Sequence, residues 1–287
     1  MRVLEVIQRS AKFLTNKGVD SSRLQAELLL AHVLKVPRMK LYLNFERELA
    51  EAELTSVREL VRRRGQREPL QHIVGSTSFC GLEVAVNRSV LVPRPETELL
   101  AELGWQFLNK RVASGTDALT ALDFGTGSGC IAITVAAQCP AAKVVALDSS
   151  AEALALAKQN AERNGVDGRI EFLRSDGFAG LPSNTSFDLI ISNPPYIPSG
   201  EIETLQPEVR DFDPREALDG GADGLDFYRR LAEQAPRFIR LNGRIMLEFG
   251  DGQAADIKRI FEHQRWITES VIEDYTQRPR IFIARRD

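Results

Sequence analysis

Cysteine and histidine are scarce in this 287-residue sequence, with three of each. Cys80, Cys130 and Cys139 are odd in number and show no CxxC spacing, which argues against a disulfide framework or a zinc cluster and leaves buried thiols as the expectation. His32, His72 and His263 lie far apart without HExxH or HxH spacing, so no metal site is expected. No uninterrupted apolar run reaches the ~18 residues of a membrane span. The start, MRVLEVIQRS, carries Glu5 where a signal or transit peptide stays free of acids. The expectation is a cytoplasmic protein with no membrane partner, and a monomer.

What is present is ordinary in bulk and uneven in distribution. A chain that is 43% hydrophobic and 27% charged has room for one large or two modest domains. Residues 1–75 hold 14 Lys and Arg against 9 Asp and Glu, whereas the remainder holds 23 against 31. The basic part, densest in VRRRGQR (Val61 to Arg67), suits an acidic partner or simply a solvated helix face.

Periodicity divides the chain. Residues 1–75 read as short amphipathic helices: VLEVIQRSAKFLTNKG ends at Gly18, DSSRLQAELLLAHVLK stops before Pro37, and a third runs from about Ala50 to Arg64. Residues 76–92 contain the alternating STSFCGLEVAVN, a hairpin around Gly81. From 93 to 287 a proline-led helix to about Lys110 precedes alternating strands and helices. The strands are LTALDF, KVVALD, RIEFLRSD, FDLIIS and GRIMLEFG, with two more near WITESVI and RIFIARR. The helix LDFYRRLAEQAPRFI precedes GRIMLEFG. Such alternation predicts an α/β, doubly wound, mostly parallel sheet, in which ligands bind outside the carboxyl ends of the strands.

Those strand ends carry the unusual residues. LDFGTGSGC places Gly125, Gly127 and Gly129 after the first strand, with a GxGxG register that departs from the dinucleotide spacing and brings backbone N–H groups toward a ligand. Asp148 ends the second strand, where a carboxylate can accept both hydroxyls of a ribose, with a helix N-cap as the less favoured alternative. Asp176 ends the third, placed for an exocyclic adenine amine or for a turn before Gly177. Together the three ends indicate an adenosine-containing ligand. The fourth strand ends in NPPY. Pro194 and Pro195 stiffen the loop and remove donors, Asn193 adds an amide oxygen and Tyr196 a flat face. The Asn193 side-chain oxygen and the Pro194 carbonyl suit the two N–H bonds of a planar NH₂ group, whose delocalised lone pair needs help to react. The electrophile that fits an adenosine site is the methyl sulfonium of S-adenosylmethionine, which calls for no metal.

DFGTGSGCIAI, NPPYIP, VLVPRPETELL and PLQHIVGSTSFCGLEV closely resemble the peptide chain release factor N5-glutamine methyltransferases, the PrmC or HemK family, over practically the whole chain. The resemblance implies a Rossmann-like class I methyltransferase fold with a small N-terminal all-helical domain joined by a β-hairpin. It implies N5-methylation of the glutamine in the GGQ motif of class-1 release factors, with S-adenosylhomocysteine as by-product. By that likeness Gly125, Thr126, Gly127, Ser128, Gly129 and Asp148 contact the cofactor, as do Asp176 and Gly177, and Asn193 touches cofactor and substrate. Asn193, Pro194, Pro195 and Tyr196 hold the glutamine amide, with Asn193, Pro194 and Tyr196 catalytic, and residues 1–75 dock the release factor. Phe124 stands where the family commonly has leucine, and Gly177 where some members place a large side chain. In PRPETE, Thr97 or Glu98 is expected to cap a helix, and the family likeness places this loop over the cofactor pocket. LEFGDGQ (Leu247 to Gln253) is expected to be a turn without a catalytic part. EIETLQPEVRDFDPRE is expected either to border the substrate entrance or to be solvated surface. The chief rival is a nucleic-acid amino-methyltransferase acting on adenine N6 or guanine N2. The acidic balance beyond residue 75 opposes it, and no stable nucleic-acid partner is expected.

Overall fold

The structure, a computed structural model, describes residues 1–116 and 118–287. They form two compact units: Met1–Ser76 with Gln206–Phe212, and Thr77–Leu205 with Asp213–Asp287. The first unit holds α1 (Val3–Asn16), α2 (Ser22–Leu34), α3 (Arg38–Leu41), α4 (Glu51–Gly65) and α5 (Leu70–Val74). Val3, Val6, Ile7 and Leu14 make the inner stripe of α1, packing with Leu29 and Leu30 of α2 and Leu54, Val57 and Val61 of α4. That spacing is the helical period read from the sequence. Glu5 and Glu53 each accept the backbone N–H three residues earlier, from Arg2 at 3.1 Å and Ala50 at 2.9 Å, which secures the starts of α1 and α4. The very short α3 and α5 fall below the length at which periodicity is visible.

The second unit opens with the hairpin β1 (Ser76–Phe79) and β2 (Leu82–Ala85), turning through Cys80 and Gly81, both at positive φ. Then follow α6 (Pro95–Ala113), β3 (Leu119–Phe124), α7 (Cys130–Gln138), β4 (Ala142–Asp148), α8 (Ala151–Arg163), β5 (Ile170–Arg174) and β6 (Phe187–Ser192). After a single-turn α9 (Pro207–Arg210), which belongs to the first unit, come α10 (Asp226–Gln234), β7 (Ile239–Glu248), α11 (Ala254–His263), β8 (Trp266–Glu273) and β9 (Pro279–Arg286). The sheet order is β5-β4-β3-β6-β7-β9-β8. Strands β5 to β7 along that order are parallel, and β9 runs antiparallel to both β7 and β8. The chain winds one way from β3 and then returns to β6 on its other side, which opens a crevice at the carboxyl ends. Helix α10 stops at Gln234 and a 3₁₀ turn follows, because Pro236 has no N–H to continue the ladder; β7 therefore begins at Ile239, earlier than the apolar pattern suggests. Cys130 and Cys139 are buried and free, while Cys80 is only half-buried.

The basic cluster in the helical unit is mostly spoken for. Arg62 pairs with Glu59 and Arg63 with Glu68, at 2.7 and 2.6 Å. Arg64 and Arg67 both hold Glu208, at 2.7 and 2.6 Å, and Arg64 also donates to Gln25. Part of the acidic loop after NPPY is thus built into the fold: Glu208 here, and Asp213 in the second unit, buried and paired with Arg94 at 2.8 Å. Burial alone raises the Glu208 carboxyl, but the hydrogen bonds from Arg67 and Arg64 prevail and hold it below its ordinary value. Arg64 is 4% exposed, so removing its counter-charge strands a buried cation. Glu208→Ala is expected to destabilise the helical unit by about 2–4 kcal/mol in denaturant unfolding. A loss below about 0.5 kcal/mol, as for an exposed pair, contradicts this.

Candidate active site

Strands β3, β4, β5 and β6 end at Phe124, Asp148, Arg174 and Ser192, and the loops that follow line a cavity of about 740 Å³. The glycine loop begins by crossing to β4: the N–H groups of Gly125 and Thr126 both donate to Leu147 O, at 2.8 and 2.9 Å. Beneath it Asp123, fully buried, accepts from Thr126 Oγ1 at 2.6 Å and Ala132 N at 3.0 Å. Burial nevertheless pushes its carboxyl up to about 7. Asp148 is part of the loop as well as facing the cavity, since Oδ2 accepts from Gly127 N at 2.8 Å and Oδ1 from Ser150 N at 2.9 Å. It is not the cap of α8. Ser150 is, its hydroxyl accepting from Ala153 N at 3.1 Å. At Gly129, φ is +82° and an added Cβ would stand 3.0 Å from Ala157 Cβ, so α7 can start this close to α8 only from a glycine.

The NPPY segment is fixed from several sides. Ser192 Oγ donates to Phe124 O at 2.6 Å, tying the ends of β6 and β3 together. Asn193 Nδ2 donates to Thr97 Oγ1 at 3.1 Å, which leaves Oδ1 as the acceptor still open. Among the described residues no donor reaches the Pro194 carbonyl. Beyond it, Gln253 Nε2 donates to Tyr196 O at 2.9 Å, and Ile197 bridges in parallel to Asp219, with Ile197 N on Leu218 O at 3.0 Å and Gly220 N on Ile197 O at 2.9 Å. EALDGGADG thus serves as a short backbone splint for NPPYIP. Gly224, at φ +76°, lies so close that an added Cβ would collide with Tyr196 O. Gly224→Ala is expected to cost about 2–3 kcal/mol of stability in chemical unfolding, because neither the dihedral nor the backbone oxygen can give way; an unchanged midpoint contradicts it.

The predicted residues do not all meet. Gly125 to Ser128, Asp148, Asp176, Gly177, Asn193, Pro194 and Pro195 line the cavity. Gly129 does not, and neither does Tyr196, which with Gln253 and Arg280 lines a separate recess of about 820 Å³, its ring against Gly250. Burial, with the Glu248 charge adding, pushes its hydroxyl up to about 12. The Asp176 side chain is 85% exposed and paired with Arg230 at 2.7 Å. Arg230 also donates to Asp176 O at 2.7 Å, and its guanidinium fills the space a side chain on Gly177 would need. That arginine was invisible in the sequence, 54 residues from its partner. Thr97 does not cap α6, whose N-cap is Arg94; it is 2% exposed and turned to Asn193. Glu98 takes the Cys80 N–H at 3.0 Å instead of capping. The segment LEFGDGQ, expected to be inert, supplies both Gln253 and a buried Glu248, whose backbone oxygen accepts from Tyr228 OH at 2.8 Å.

Comparison with known proteins meets this geometry from outside. The PrmC N-terminal domain family matches residues 5–75, and the methyltransferase small domain family matches residues 102–206. The release factor glutamine methyltransferase of Geobacter sulfurreducens is 44% identical over 90% of this chain and 88% of its own length. The chain belongs to the release factor glutamine methyltransferases. The family's Chlorobaculum tepidum representative is 40% identical over 97% of this chain and 95% of its own. Among solved structures, the hMettl16 catalytic domain has a TM-score of 0.56 at 15% identity, covering 82% of this chain and 81% of that one. A methyltransferase from Pyrococcus furiosus has 0.52 at 20%, covering 72% and 90%. At such identities the likeness is one of fold, a Rossmann-like class I methyltransferase sheet. Family membership makes the chain an enzyme, and places the glycine loop and NPPY inside a methyltransferase. Among the described residues no helix is long and apolar enough to cross a membrane.

Proposed function

We propose that this enzyme binds S-adenosylmethionine in the 740 Å³ cavity and methylates N5 of the GGQ glutamine of class-1 peptide chain release factors. The observation that carries the proposal is the pair of open acceptors, Asn193 Oδ1 and Pro194 O, at the edge of the cavity that also holds Asp148 and the glycine loop. The relatives' shared name favours a protein glutamine over a nucleic-acid base. The internal pairing of Arg62, Arg63, Arg64 and Arg67 also removes the densest candidate for a phosphate-binding patch.

The cavity suits an adenosine ligand. Each Asp148 oxygen accepts one backbone N–H and retains acceptor capacity for a ribose hydroxyl. A Cβ at Gly125 or Gly127 would meet no protein atom within 4 Å, so the backbone there is bare toward the ligand. Thr126 and Ser128 complete that loop. At the far strand end Asp176 and Gly177 contribute backbone, since the Asp176 carboxylate is engaged by Arg230. Bound there, S-adenosylmethionine supplies an electrophilic methyl group and leaves as S-adenosylhomocysteine. Asn193 Oδ1 and Pro194 O each accept one N–H of the glutamine amide, which orients its lone pair and stabilises positive charge developing on nitrogen. Pro195 keeps the loop from yielding, and Tyr196 anchors it from the neighbouring recess. Residues 1–75 serve as the docking domain, 76–92 as the connecting hairpin and 93–287 as the transferase domain of a cytoplasmic monomer with no stable nucleic-acid partner.

Incubation with labelled S-adenosylmethionine and a full-length release factor, beside its GGQ to GGA variant and DNA and RNA controls, tests the proposal. Label on the intact factor alone is expected. Label on nucleic acid alone overturns it.

A further inference from the structure

The sulfonium of S-adenosylmethionine joins the transferable methyl, the ribose C5′ and the amino-acid chain. A grip on the ribose alone leaves the methyl free to swing about the C5′–S bond, so a second grip on the amino-acid end is needed to turn it toward an amide at Asn193. The chemistry of that grip is prescribed. A zwitterion leaves water at a high cost unless a cation meets its α-carboxylate and an anion its α-ammonium.

The arginines lining the cavity are Arg88, Arg94, Arg174 and Arg230. Arg230 is committed to Asp176, and Arg174 donates to Ser149 O at 3.2 Å. Arg88 belongs to the α8 side, just before Val90, which packs with Ala153 and Leu156. Arg94 stands on the side of the proposed amide clamp: its carbonyl accepts from Thr97 N at 3.1 Å, and Thr97 Oγ1 receives Asn193 Nδ2 at 3.1 Å. The buried Asp213 carboxylate fixes its guanidinium by accepting from Nη2 at 2.8 Å. That uses one N–H and leaves an edge with two parallel donors for a second carboxylate. One turn past Asp213, Glu216 lines the same cavity. No group among the described residues engages its carboxylate; its neighbour Arg215 turns instead to Asp219 and Glu203, at 3.4 and 3.6 Å. At neutral pH Arg94, Asp213 and Glu216 sum to one negative charge. The carboxylate, ammonium and sulfonium of the ligand together carry one positive charge, so the two ends balance, as they would not for a phosphate or another anion.

We propose that Arg94 and Glu216 form the subsite for the amino-acid end of S-adenosylmethionine, Arg94 taking the α-carboxylate and Glu216 the α-ammonium, with Asp213 as the positioning residue that holds Arg94. The proposal rests on the cavity being the S-adenosylmethionine site and adds a fixed point beyond Asp148. With ribose and amino-acid end both held, the methyl has one direction left, toward Asn193. The DPRE end of the acidic loop thereby serves the cofactor.

Calorimetric titration of the full-length enzyme with S-adenosylhomocysteine and, separately, with 5′-methylthioadenosine tests this, because the second ligand keeps adenosine and sulfur but lacks the amino-acid end. Arg94→Ala is expected to weaken S-adenosylhomocysteine about tenfold to a hundredfold, by loss of charge-assisted hydrogen bonds, and to leave 5′-methylthioadenosine within about twofold. Glu216→Gln, altering an exposed side chain, is expected to weaken S-adenosylhomocysteine about threefold to fivefold with the same indifference to the shorter ligand. An Arg94→Ala enzyme that loses both ligands alike, or neither, overturns the inference, and so does an effect confined to KM for the release factor. An unaffected Glu216→Gln overturns its ammonium half. Arg94→Ala leaves Asp213 buried without its counter-charge. Should it fail to fold, Arg94→Lys, which keeps the charge but not the paired donors, takes its place, with an expected loss of about threefold to tenfold for S-adenosylhomocysteine alone. A wild-type enzyme that binds neither ligand brings down the proposed function instead, whereas a binding wild type with an indifferent Arg94 variant brings down this inference alone.

Discussion

Asn193→Ala is expected to reduce kcat for release-factor methylation by about two to three orders of magnitude, as removal of one preorganised charge-stabilising partner does elsewhere. The amide nitrogen reacts poorly because its lone pair is delocalised, and on the proposed reading the clamp compensates by accepting a hydrogen bond from each of its two N–H groups as charge develops. Pro194 O remains in the variant, but one acceptor cannot fix the plane of the NH₂ group. Cofactor affinity is expected to change less than about tenfold, since Asp148 and the glycine loop are held by bonds that do not pass through Asn193. Single-turnover transfer beside calorimetric binding of S-adenosylhomocysteine separates the two effects. Near-normal turnover would show that the amide is not gripped as described.

Asp148→Ala is expected to act on the other half of the site, weakening cofactor binding by about a hundredfold, from the loss of hydrogen bonds to a charged group worth about 1.5–3 kcal/mol each. The carboxylate does two jobs. It anchors Gly127 N at 2.8 Å and Ser150 N at 2.9 Å and, on the proposed reading, accepts from the ribose, so the variant loses the fixed form of the loop and those acceptors together. Asp148→Asn keeps one acceptor and should fall between the variant and the wild type. The same titration measures this; a dissociation constant within about threefold of wild type would remove Asp148 from the ligand site.

Helices α1, α2 and α4, the hairpin, and each parallel strand followed from local periodicity and punctuation, because a helix face or a buried strand is written into neighbouring residues. The glycine loop, Asp148 and NPPY were legible for a related reason. In a doubly wound sheet the strand ends share one edge, so residues far apart in the chain are assigned to one site as soon as the strands are counted.

The sequence by itself therefore determined the architecture, the strand-end loops and the family likeness carried by NPPYIP and PRPETE. Only the tertiary structure decided what surrounds them. It turned Thr97 from an expected cap into a partner of Asn193, brought Gln253 out of an apparently idle turn onto Tyr196 O, seated Arg230 on Gly177, and gave Glu208 to the arginines of α4 and its C-terminal loop. These are long-range pairings between polar side chains. Their partners are chosen by burial, which makes an unpaired charge or donor too costly to keep, and burial at that scale is a property of the packed molecule.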